Sequence, residues 1–315
     1  MIVGNAKFAN FGKISDALVY LKEHPEEKRK IFILAGVYRE RLHIDLDAVE
    51  LIGLGSVEIV YGRYAWEKDE HGNDIGTFST PTVYIEGKDC VFENIIFVND
   101  AGQGDLRGQA VAVFVHGDNI KFLNCQFKGF QDTLCIGPLP PKQLNGSDFP
   151  EKNERRYFEQ YRVLFEHCFI EGTIDYIFGG GTAVFIQCEV KSLCRLNPND
   201  IGYVTAASTP QTSKSGFTFI ECLFTGDARE NTVYLGRPWR AYSATELIDC
   251  VFGSHIKIEG WSEWQQHTPN IENVRYIERY SNKEYVKYFE KTRVNWVNVK
   301  SNYKTIDEII DSCFE

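Results

Sequence analysis

The chain has 315 residues, of which 43% are hydrophobic and 25% are charged, a composition typical of a folded protein and not of a disordered one. The formal net charge is −10, which disfavours nucleic acid and anionic membranes as partners. The longest apolar run, residues 31–38, is far shorter than the roughly 18 residues of a membrane helix. We therefore expect neither nucleic acid nor a membrane among the partners of this protein.

The N-terminal segment contains no signal-peptide pattern. No basic stretch followed by an apolar core and a small-residue cleavage site is present in the first 21 residues. This predicts a cytoplasmic protein, and a secreted protein whose signal has been removed is the alternative.

A helix is the first regular element that the sequence predicts. It covers residues 15–24, with Ser15 as the N-cap and with Ile14, Leu18 and Leu21 on one face. A similar pattern over residues 305–314 predicts a second helix near the C-terminus.

Cysteines mark a repeat between these two helices. The chain has nine Cys but no CxxC motif, so neither a zinc knuckle nor a thioredoxin-type site is expected. Six of the Cys follow a polar residue and lie two residues before an apolar residue, which places the Cys and the apolar residue on one face of a strand. These six are Cys90, Cys125, Cys168, Cys188, Cys222 and Cys250. We interpret them as small core residues that stack on successive turns of a solenoid.

Short strand-like runs surround the cysteines, and most of them end in Gly, Asp or Asn. Little helix separates them, which argues against alternating βαβ units. We therefore predict an all-β protein, a single right-handed parallel β-helix that forms one domain over residues 1–315. The right-handed sense follows from the general rule for parallel crossovers. The two terminal helices are expected to cover the ends of the solenoid.

Two apolar strands each contain an aspartate. Asp132 lies in GFQDTLCIG and Asp175 in GTIDYIFGG, 43 residues later. On adjacent turns of a β-helix such residues are separated by about 4.8 Å, and two carboxyl groups that close have pKa values that move apart. One can then act as an acid and the other as a nucleophile or base. The plainer interpretation is a pair of surface carboxylates on loops.

Three reaction classes use such a pair: retaining glycosidases, polysaccharide lyases and carboxyl esterases. The sequence has no GxSxG, HExxH or EF-hand motif, and its seven His are scattered. We therefore expect neither a serine nucleophile nor a metal site.

Five motifs resemble those of the pectin methylesterases, carbohydrate esterase family 8. They occur in the family's order and are GVYRE (36–40), GQAVAVFV (108–115), QDTL (131–134), DYIFG (175–179) and LGRPW (235–239). GWSEW at 260–264 is a sixth, weaker match. The resemblance implies a parallel β-helix and the hydrolysis of methyl esters of galacturonate without a cofactor.

The resemblance also implies roles for individual residues. Asp175 matches the nucleophile, and Asp132 matches the acid that protonates the leaving methanol and then activates water. Gln131 matches the donor to the oxyanion, with Gln109 as a second donor, and Arg237 matches the group that keeps the nucleophile ionised. The aromatics expected to line the sugar cleft are Trp239, Phe178 and Trp261. GVYRE is expected to be structural.

The sequence departs from the family at two places. Cys135 stands where the family commonly has an aromatic residue of the cleft. Residues 137–160 form an insertion between the two aspartates, and we expect it to form a wall of the cleft, where Lys142, Lys152, Arg155 and Arg156 could attract galacturonate carboxylates or could simply be solvated.

The acidic net charge disfavours a long demethylated polymer. With no signal peptide, the expected substrate is pectin or, more specifically, imported methylated oligogalacturonides, and we expect a monomer. A polygalacturonase or lyase is the alternative enzyme, and an inactive pectin-binding β-helix is the alternative from another class.

Overall fold

The computed structural model describes residues 1–149, 155–264, 271–302 and 304–314. Within these ranges the chain winds into a coil whose successive turns pair as parallel strands. The strands form a 17-stranded and a 7-stranded sheet. The prediction of an all-β parallel β-helix is confirmed.

The seven-stranded sheet, which we call the short sheet, has one strand from each of seven turns. Its strands are β3 (Leu42–Ile44), β5 (Val83–Ile85), β8 (Val113–Val115), β11 (Leu134–Ile136), β14 (Ile174–Gly179), β17 (Gly202–Ala207) and β20 (Val233–Gly236), in this spatial order.

The larger sheet consists of two rows of strands that diverge from β4 (Glu50–Tyr61), which follows β1 (Ile2–Val3) and β2 (Lys30–Tyr38). One row contains β6 (Val91–Glu93), β9 (Ile120–Leu123), β12 (Arg162–Glu166), β15 (Thr182–Ile186), β18 (Phe217–Ile220), β21 (Ala244–Ile248), β23 (Arg275–Tyr280) and β24 (Asn298–Ser301). The other row contains β7 (Ile96–Asn99), β10 (Gln126–Lys128), β13 (Phe169–Gly172), β16 (Glu189–Ser192), β19 (Leu223–Gly226) and β22 (Val251–Phe252).

Five of the six repeated cysteines, from Cys125 to Cys250, lie at the corner between these two rows, whereas Cys90 lies where the chain enters β6 from the short sheet. The polar residue before each Cys has a positive φ of 48–58°, as in Asn124 at 53° and Gln187 at 48°. This left-handed conformation turns the chain sharply, from one row into the other at the five later cysteines and from the short sheet into β6 at Cys90. The Cys therefore occupies the turn immediately before a strand, and the prediction that it lies within a strand was wrong.

Five of the six cysteines nevertheless stack along the interior, as predicted, and these are Cys125, Cys168, Cys188, Cys222 and Cys250. Cys90 does not belong to the stack, because the strand register aligns it with Ile120 and places Ile95 one turn before Cys125. All six are at most 3% exposed, and each thiol from Cys125 onward donates to a backbone carbonyl of the preceding turn, for example Cys168 Sγ to Phe122 O at 3.4 Å. A ladder of phenylalanines runs beside them, and its ring centroids are 4.4–5.0 Å apart. The ladder consists of Phe92, Phe122, Phe165, Phe185 and Phe219. One large and one small side chain per turn fill the core at this corner.

All nine cysteines are free thiols in this structure. Protein denatured without reductant should therefore react with a thiol reagent at nearly nine positions. In the native protein, Cys194, which is only partly buried, should react first, because burial raises the pKa of Cys125, Cys250 and Cys313 and leaves little thiolate to react. Thiol titration against time checks this, and a count near one would contradict it.

Four helices accompany the coil in the described residues: α1 (Ile14–Glu23), α2 (Gly104–Arg107), α3 (Lys283–Thr292) and α4 (Ile306–Phe314). Ser15 was predicted to be the N-cap of α1, but it lies inside the helix. Instead the carboxylate of Glu40, the last residue of GVYRE, accepts hydrogen bonds from the backbone N–H groups of Ile14 and Ser15. The expected structural role of GVYRE is thus observed.

The two terminal helices pack in different ways. α1 buries its apolar face against the first turns of the coil, as predicted. α4 begins with a capping box in which Thr305 and Glu308 bond each other's backbone N–H groups. Its Ile309 packs on Val184 and Ile220 at the outer face of the larger sheet, so α4 covers a side of the coil and not the end that we predicted. No helix in the described ranges is long and apolar enough to cross a bilayer.

Candidate active site

The register of the short sheet brings the two aspartates together. Leu134 of β11 pairs with Ile177 of β14, and Asp132 and Asp175 each lie two residues before one member of that pair. The backbone N–H of Asp132 donates to Ile174 O at 3.0 Å. The two carboxyl groups therefore occupy equivalent positions on neighbouring turns, as the sequence predicts.

Both aspartates have a left-handed backbone conformation, with φ of 63° for Asp132 and 47° for Asp175. Aspartate tolerates this region better than most residues, but it is still costly. Such strain concentrates at functional sites, where the surrounding structure enforces it. Here the pairing of β11 and β14 enforces it and directs two acidic side chains onto the outer face of the sheet.

Arg237 forms a bidentate ion pair with Asp175. Its Nε donates to Oδ1 at 3.0 Å and its Nη2 to Oδ2 at 2.7 Å. The guanidinium lies between two aromatic rings, 3.9 Å from the centroid of Tyr203 and 4.1 Å from that of Trp264. Cation–π contacts on both faces hold the guanidinium in one orientation, and this orientation fixes the carboxylate of Asp175.

The position of Arg237 depends on a close approach of β20 to β17. The backbone N–H of Arg237 donates to Thr205 O at 3.0 Å. A Cβ on the preceding Gly236 would lie 1.9 Å from Thr205 Oγ1, so only glycine permits this approach. The GR dipeptide in LGRPW therefore has a structural reason: the glycine brings the arginine within reach of Asp175.

The pKa values of the two aspartates differ in their main causes. Burial raises the pKa of Asp132 well above its usual range, and the charge of Asp175 raises it further. Burial also raises the pKa of Asp175, but Arg237 opposes this by its charge and its hydrogen bonds. Asp132 is thus the group that retains a proton and Asp175 the group that ionises first.

The two carboxyl groups open into a cavity of about 350 Å³. Two amide side chains, Gln109 and Gln131, line it beside them. The remaining lining residues are Gly76, Thr77, Phe78, Gln143, Phe149, Phe178, Ala206, Arg237, Trp239 and Trp264. The sequence-predicted aspartates, glutamines and arginine therefore share one cavity, while their catalytic roles stay predictions.

Gly104, in α2, packs directly against Gln131. A Cβ added to Gly104 would lie 2.6 Å from Gln131 Cβ and 2.8 Å from its Oε1. Gly104→Ala should therefore displace the amide of Gln131 and lower kcat by about tenfold, which is less than the roughly 10²–10³-fold cost of losing an oxyanion donor because the amide is displaced and not removed. The matched control is Gly12→Ala, because a Cβ on Gly12 meets nothing within 4 Å. Steady-state kinetics and thermal melts of both variants test this, and equal kcat values would contradict it.

Of the three predicted cleft aromatics, Phe178 and Trp239 line the cavity, and their rings are in edge contact at 6.0 Å. Trp261 does not, and this prediction was wrong. Its ring is 1% exposed, packs on Tyr276 at 4.4 Å and donates from Nε1 to Glu278 at 2.7 Å. Trp261 pairs with Gly236 in the short sheet, and its side chain enters the core.

Sequence reasoning missed four aromatics of the site: Tyr203, Trp264, Phe78 and Phe149. Trp264 belongs to the same GWSEW motif as Trp261, and only the fold distinguishes the two. Tyr203 pairs with Ile174, the residue before Asp175, on the next turn of the coil. An alignment of successive turns in the sequence could therefore have identified it as a neighbour of Asp175. Nothing in the local sequence of Phe78 or Phe149 marks them.

The basic residues of the insertion are mostly neutralised by this chain's own acids. Lys142 pairs with Asp148, and Arg156 pairs with Asp47. Arg155 stacks on aromatic rings instead, and Lys152 lies outside the described residues. Cys135 is fully buried between Phe114 and Phe178 in the short sheet. Among the described residues, no group of three His, Cys, Asp or Glu side chains is placed to hold a metal ion.

A family model and individual relatives all indicate the same protein family. The family model described as Pectinesterase matches residues 1–137 and 149–310. Pectinesterase 31 of Arabidopsis thaliana is 34% identical over 201 residues, which are 64% of this chain and 53% of that protein. Pectinesterase of Petunia integrifolia is 31% identical over 303 residues, which are 92% of this chain and 72% of that protein.

Among solved structures, pectin methylesterase from carrot has a similar fold. Its TM-score is 0.76 at 23% identity, over 98% of this chain and 89% of that one. The chain spans only about half the length of Pectinesterase 31. The family match, however, extends over nearly the whole chain and skips only part of the predicted insertion. The chain therefore belongs to the pectinesterase family.

Proposed function

We propose that this protein hydrolyses the C6 methyl ester of methylated galacturonate, in pectin or its oligosaccharides, and releases methanol. The observation that supports it most directly is the pair of buried aspartates in which Arg237 is bound to one member only. That asymmetry supplies an ionised nucleophile and a protonated acid within one cavity. Membership of the pectinesterase family supports the same reaction.

In the first half of the reaction, a carboxylate oxygen of Asp175 attacks the ester carbonyl carbon. The carbonyl oxygen becomes an oxyanion, to which the amide N–H groups of Gln131 and Gln109 donate. The oxyanion collapses, the bond to the methoxy oxygen breaks, and Asp132 gives its proton to that oxygen. Methanol leaves, and Asp175 remains joined to C6 of the sugar as an anhydride.

In the second half, Asp132 is ionised and accepts a proton from a water molecule. The water oxygen attacks the anhydride at C6, and the bond to Asp175 breaks. Asp175 leaves as a carboxylate, which Arg237 stabilises, and Asp132 is protonated again. One ester and one water yield one methanol and one galacturonate carboxyl group. None of these steps requires a metal ion.

Substrate contacts follow from the lining of the cavity. Phe178, Trp239 and Trp264 offer ring faces and edges that suit the C–H faces of a pyranose. Two of the solved relatives are pectin methylesterases in complex with hexasaccharides, which supports an oligosaccharide as the ligand. The cytoplasmic location and the monomeric state stay predictions.

The experiment measures three products from highly methylated pectin, with and without EDTA. Methanol is expected in both conditions, without new reducing ends and without unsaturated sugars. New reducing ends would identify a polygalacturonase, and unsaturated ends a lyase. Binding with none of the three products would identify an inactive pectin-binding module. Loss of methanol release in EDTA that Ca²⁺ or Zn²⁺ restores would overturn the metal-free mechanism.

A further inference from the structure

The insertion after β11 is attached at both ends of the short sheet. Near its start, the backbone carbonyl of Lys142 accepts a hydrogen bond from Arg240 at 2.8 Å, and Arg240 stacks on Trp239 at 4.7 Å. Near its end, the backbone N–H of Arg156 donates to Glu86, and the guanidinium of Arg156 pairs with Asp47. The insertion therefore reaches from the β20 side of the sheet to the β3 and β5 side.

Phe149 brings the insertion across the outer face of the short sheet. The segment leaves from the carboxyl end of β11, yet the ring of Phe149 meets that of Phe78 edge-on at 5.2 Å. Phe78 belongs to a 3₁₀ turn, Thr77–Ser79, that precedes the amino end of β5. A contact between these two rings must span the width of the sheet. We call this pair the aromatic bar.

The aromatic bar rests on the sheet and does not project freely. Phe78 lies 5.7 Å from Phe114 of β8 and 6.2 Å from Phe178 of β14. Arg155 stacks on Phe78 at 5.8 Å and on Phe114 at 5.6 Å. The bar thus lies above the position of Cys135, where the small side chain leaves room for it.

Two cavities meet at the bar, and Phe78 lines both of them. On the β11 side is the cavity of about 350 Å³ that contains both aspartates, and Phe78 and Phe149 both line it. On the β5 side is a second cavity of about 740 Å³, lined by Phe78 together with Arg155, Arg41 and Arg63. A polysaccharide that runs along the coil axis over the short sheet would have to pass through the position of the two rings.

We propose that the aromatic bar ends the substrate groove on the β5 side of the two aspartates, so that the enzyme acts close to one end of a galacturonate chain. The inference rests on the proposed function and adds the class of substrate: short methylated oligogalacturonides and chain ends, in preference to the interior of polymeric pectin. The cavity volume agrees, because it lies at the lower end of the roughly 300–1,000 Å³ typical of ligand pockets. The terminal sugar packs against the ring of Phe149 or Phe78.

The test compares the parent protein with Phe149→Ala, Phe149→Tyr and Tyr157→Ala. Tyr keeps a ring in the bar, whereas Tyr157 is an exposed aromatic of the same insertion and serves as the control. The substrates are a fully methylated hexagalacturonate and highly methylated polymeric pectin. The measurements are kcat/KM for methanol release on each, and the position of the demethylated sugar in the hexamer by fragmentation mass spectrometry.

The parent should favour the hexamer and demethylate it near one end. Phe149→Ala should shift the hexamer-to-polymer ratio of kcat/KM toward the polymer by about tenfold and spread demethylation to interior sugars, while Phe149→Tyr and Tyr157→Ala keep the parent pattern. Parent protein that demethylates interior sugars and polymer equally well, or a folded Phe149→Ala with an unchanged ratio, would overturn the inference alone. Parent protein that releases no methanol from either substrate would overturn the proposed function as well.

Discussion

Asp175→Asn should reduce methanol release by about 10³-fold or more, since the neutral amide cannot form the anhydride and only residual binding effects remain. Asp132→Asn should reduce kcat by about 10²–10⁴-fold, the range for loss of a general acid. Both replacements keep the shape of the side chain, so both variants should still fold into the β-helix. Circular dichroism and methanol assays on the two variants test this, and a folded Asp175→Asn protein with near-normal turnover would exclude Asp175 as the nucleophile.

The two variants should differ in stability. A carboxyl group whose pKa is raised by folding stabilises the folded protein fully below its unfolded pKa of about 3.9, and this contribution is lost as the pH rises through the folded pKa. Burial and the charge of Asp175 raise the pKa of Asp132. The ionised form of Asp132 therefore destabilises the folded protein at neutral pH. Asp132→Asn should stabilise the protein at pH 7 by about 1–2 kcal/mol. Asp175→Asn should not, because it leaves Arg237 without its carboxylate.

The same pKa values predict a bell-shaped dependence of kcat/KM on pH. Activity falls at low pH as Asp175 gains a proton and at high pH as Asp132 loses its proton. Since the pKa values of both groups are raised, both limbs lie above the ordinary aspartate range. A pH profile of the parent protein checks this, and an acid limb within the ordinary aspartate range would contradict it.

Arg237→Lys is expected to have the second largest effect, a decrease in kcat of about 10²-fold with a smaller change in KM. Lysine cannot form the bidentate pair with Asp175 or fill the space between Tyr203 and Trp264. Burial would then raise the pKa of Asp175 with less opposition, so the acid limb of the pH profile should move to higher pH. A pH profile of the variant, with kcat and KM measured separately, tests this.

Arg162→Lys is the matched control. Arg162 forms a similar bidentate pair with Asp118, with both bonds at 2.8 Å, and neither residue lines the cavity of the two aspartates. Both variants lose an arginine–carboxylate pair and should lose stability to a similar extent. Only Arg237→Lys should move the pH profile, and a shift of equal size in Arg162→Lys would mean that the effect is general.

Sequence reasoning was most successful where one residue type recurs at one structural position. The cysteines and the 43-residue offset of the aspartates both reflect the register of the coil, which repeats with each turn. It was less successful where a side chain could face either way. Trp261 and Trp264 are three residues apart in one motif, and the choice between core and cavity depends on pairing with Gly236, which no local pattern reveals.

Packing contacts between distant parts of the chain also could not be predicted from the sequence. The stacking of Tyr203 and Trp264 on Arg237 joins three separate parts of the chain, and the contact between Phe78 and Phe149 joins two more. The C-terminal helix was predicted correctly as a helix, but its apolar face fits the side of a β-helix as well as its end. Periodicity gives the face of a helix that is buried and does not identify the surface that buries it.

The pairing of Leu134 with Ile177 makes the spacing of the two acids independent of the chain that joins them. The connecting segment leaves after Ile136 and returns at Arg162 without altering this pairing, so its length and sequence can drift while the chemistry is inherited unchanged. Selectivity for chain length would then be a modular trait. Exchange of this one segment between relatives should therefore transfer the selectivity for chain length, much as antibody loops are exchanged on a constant framework.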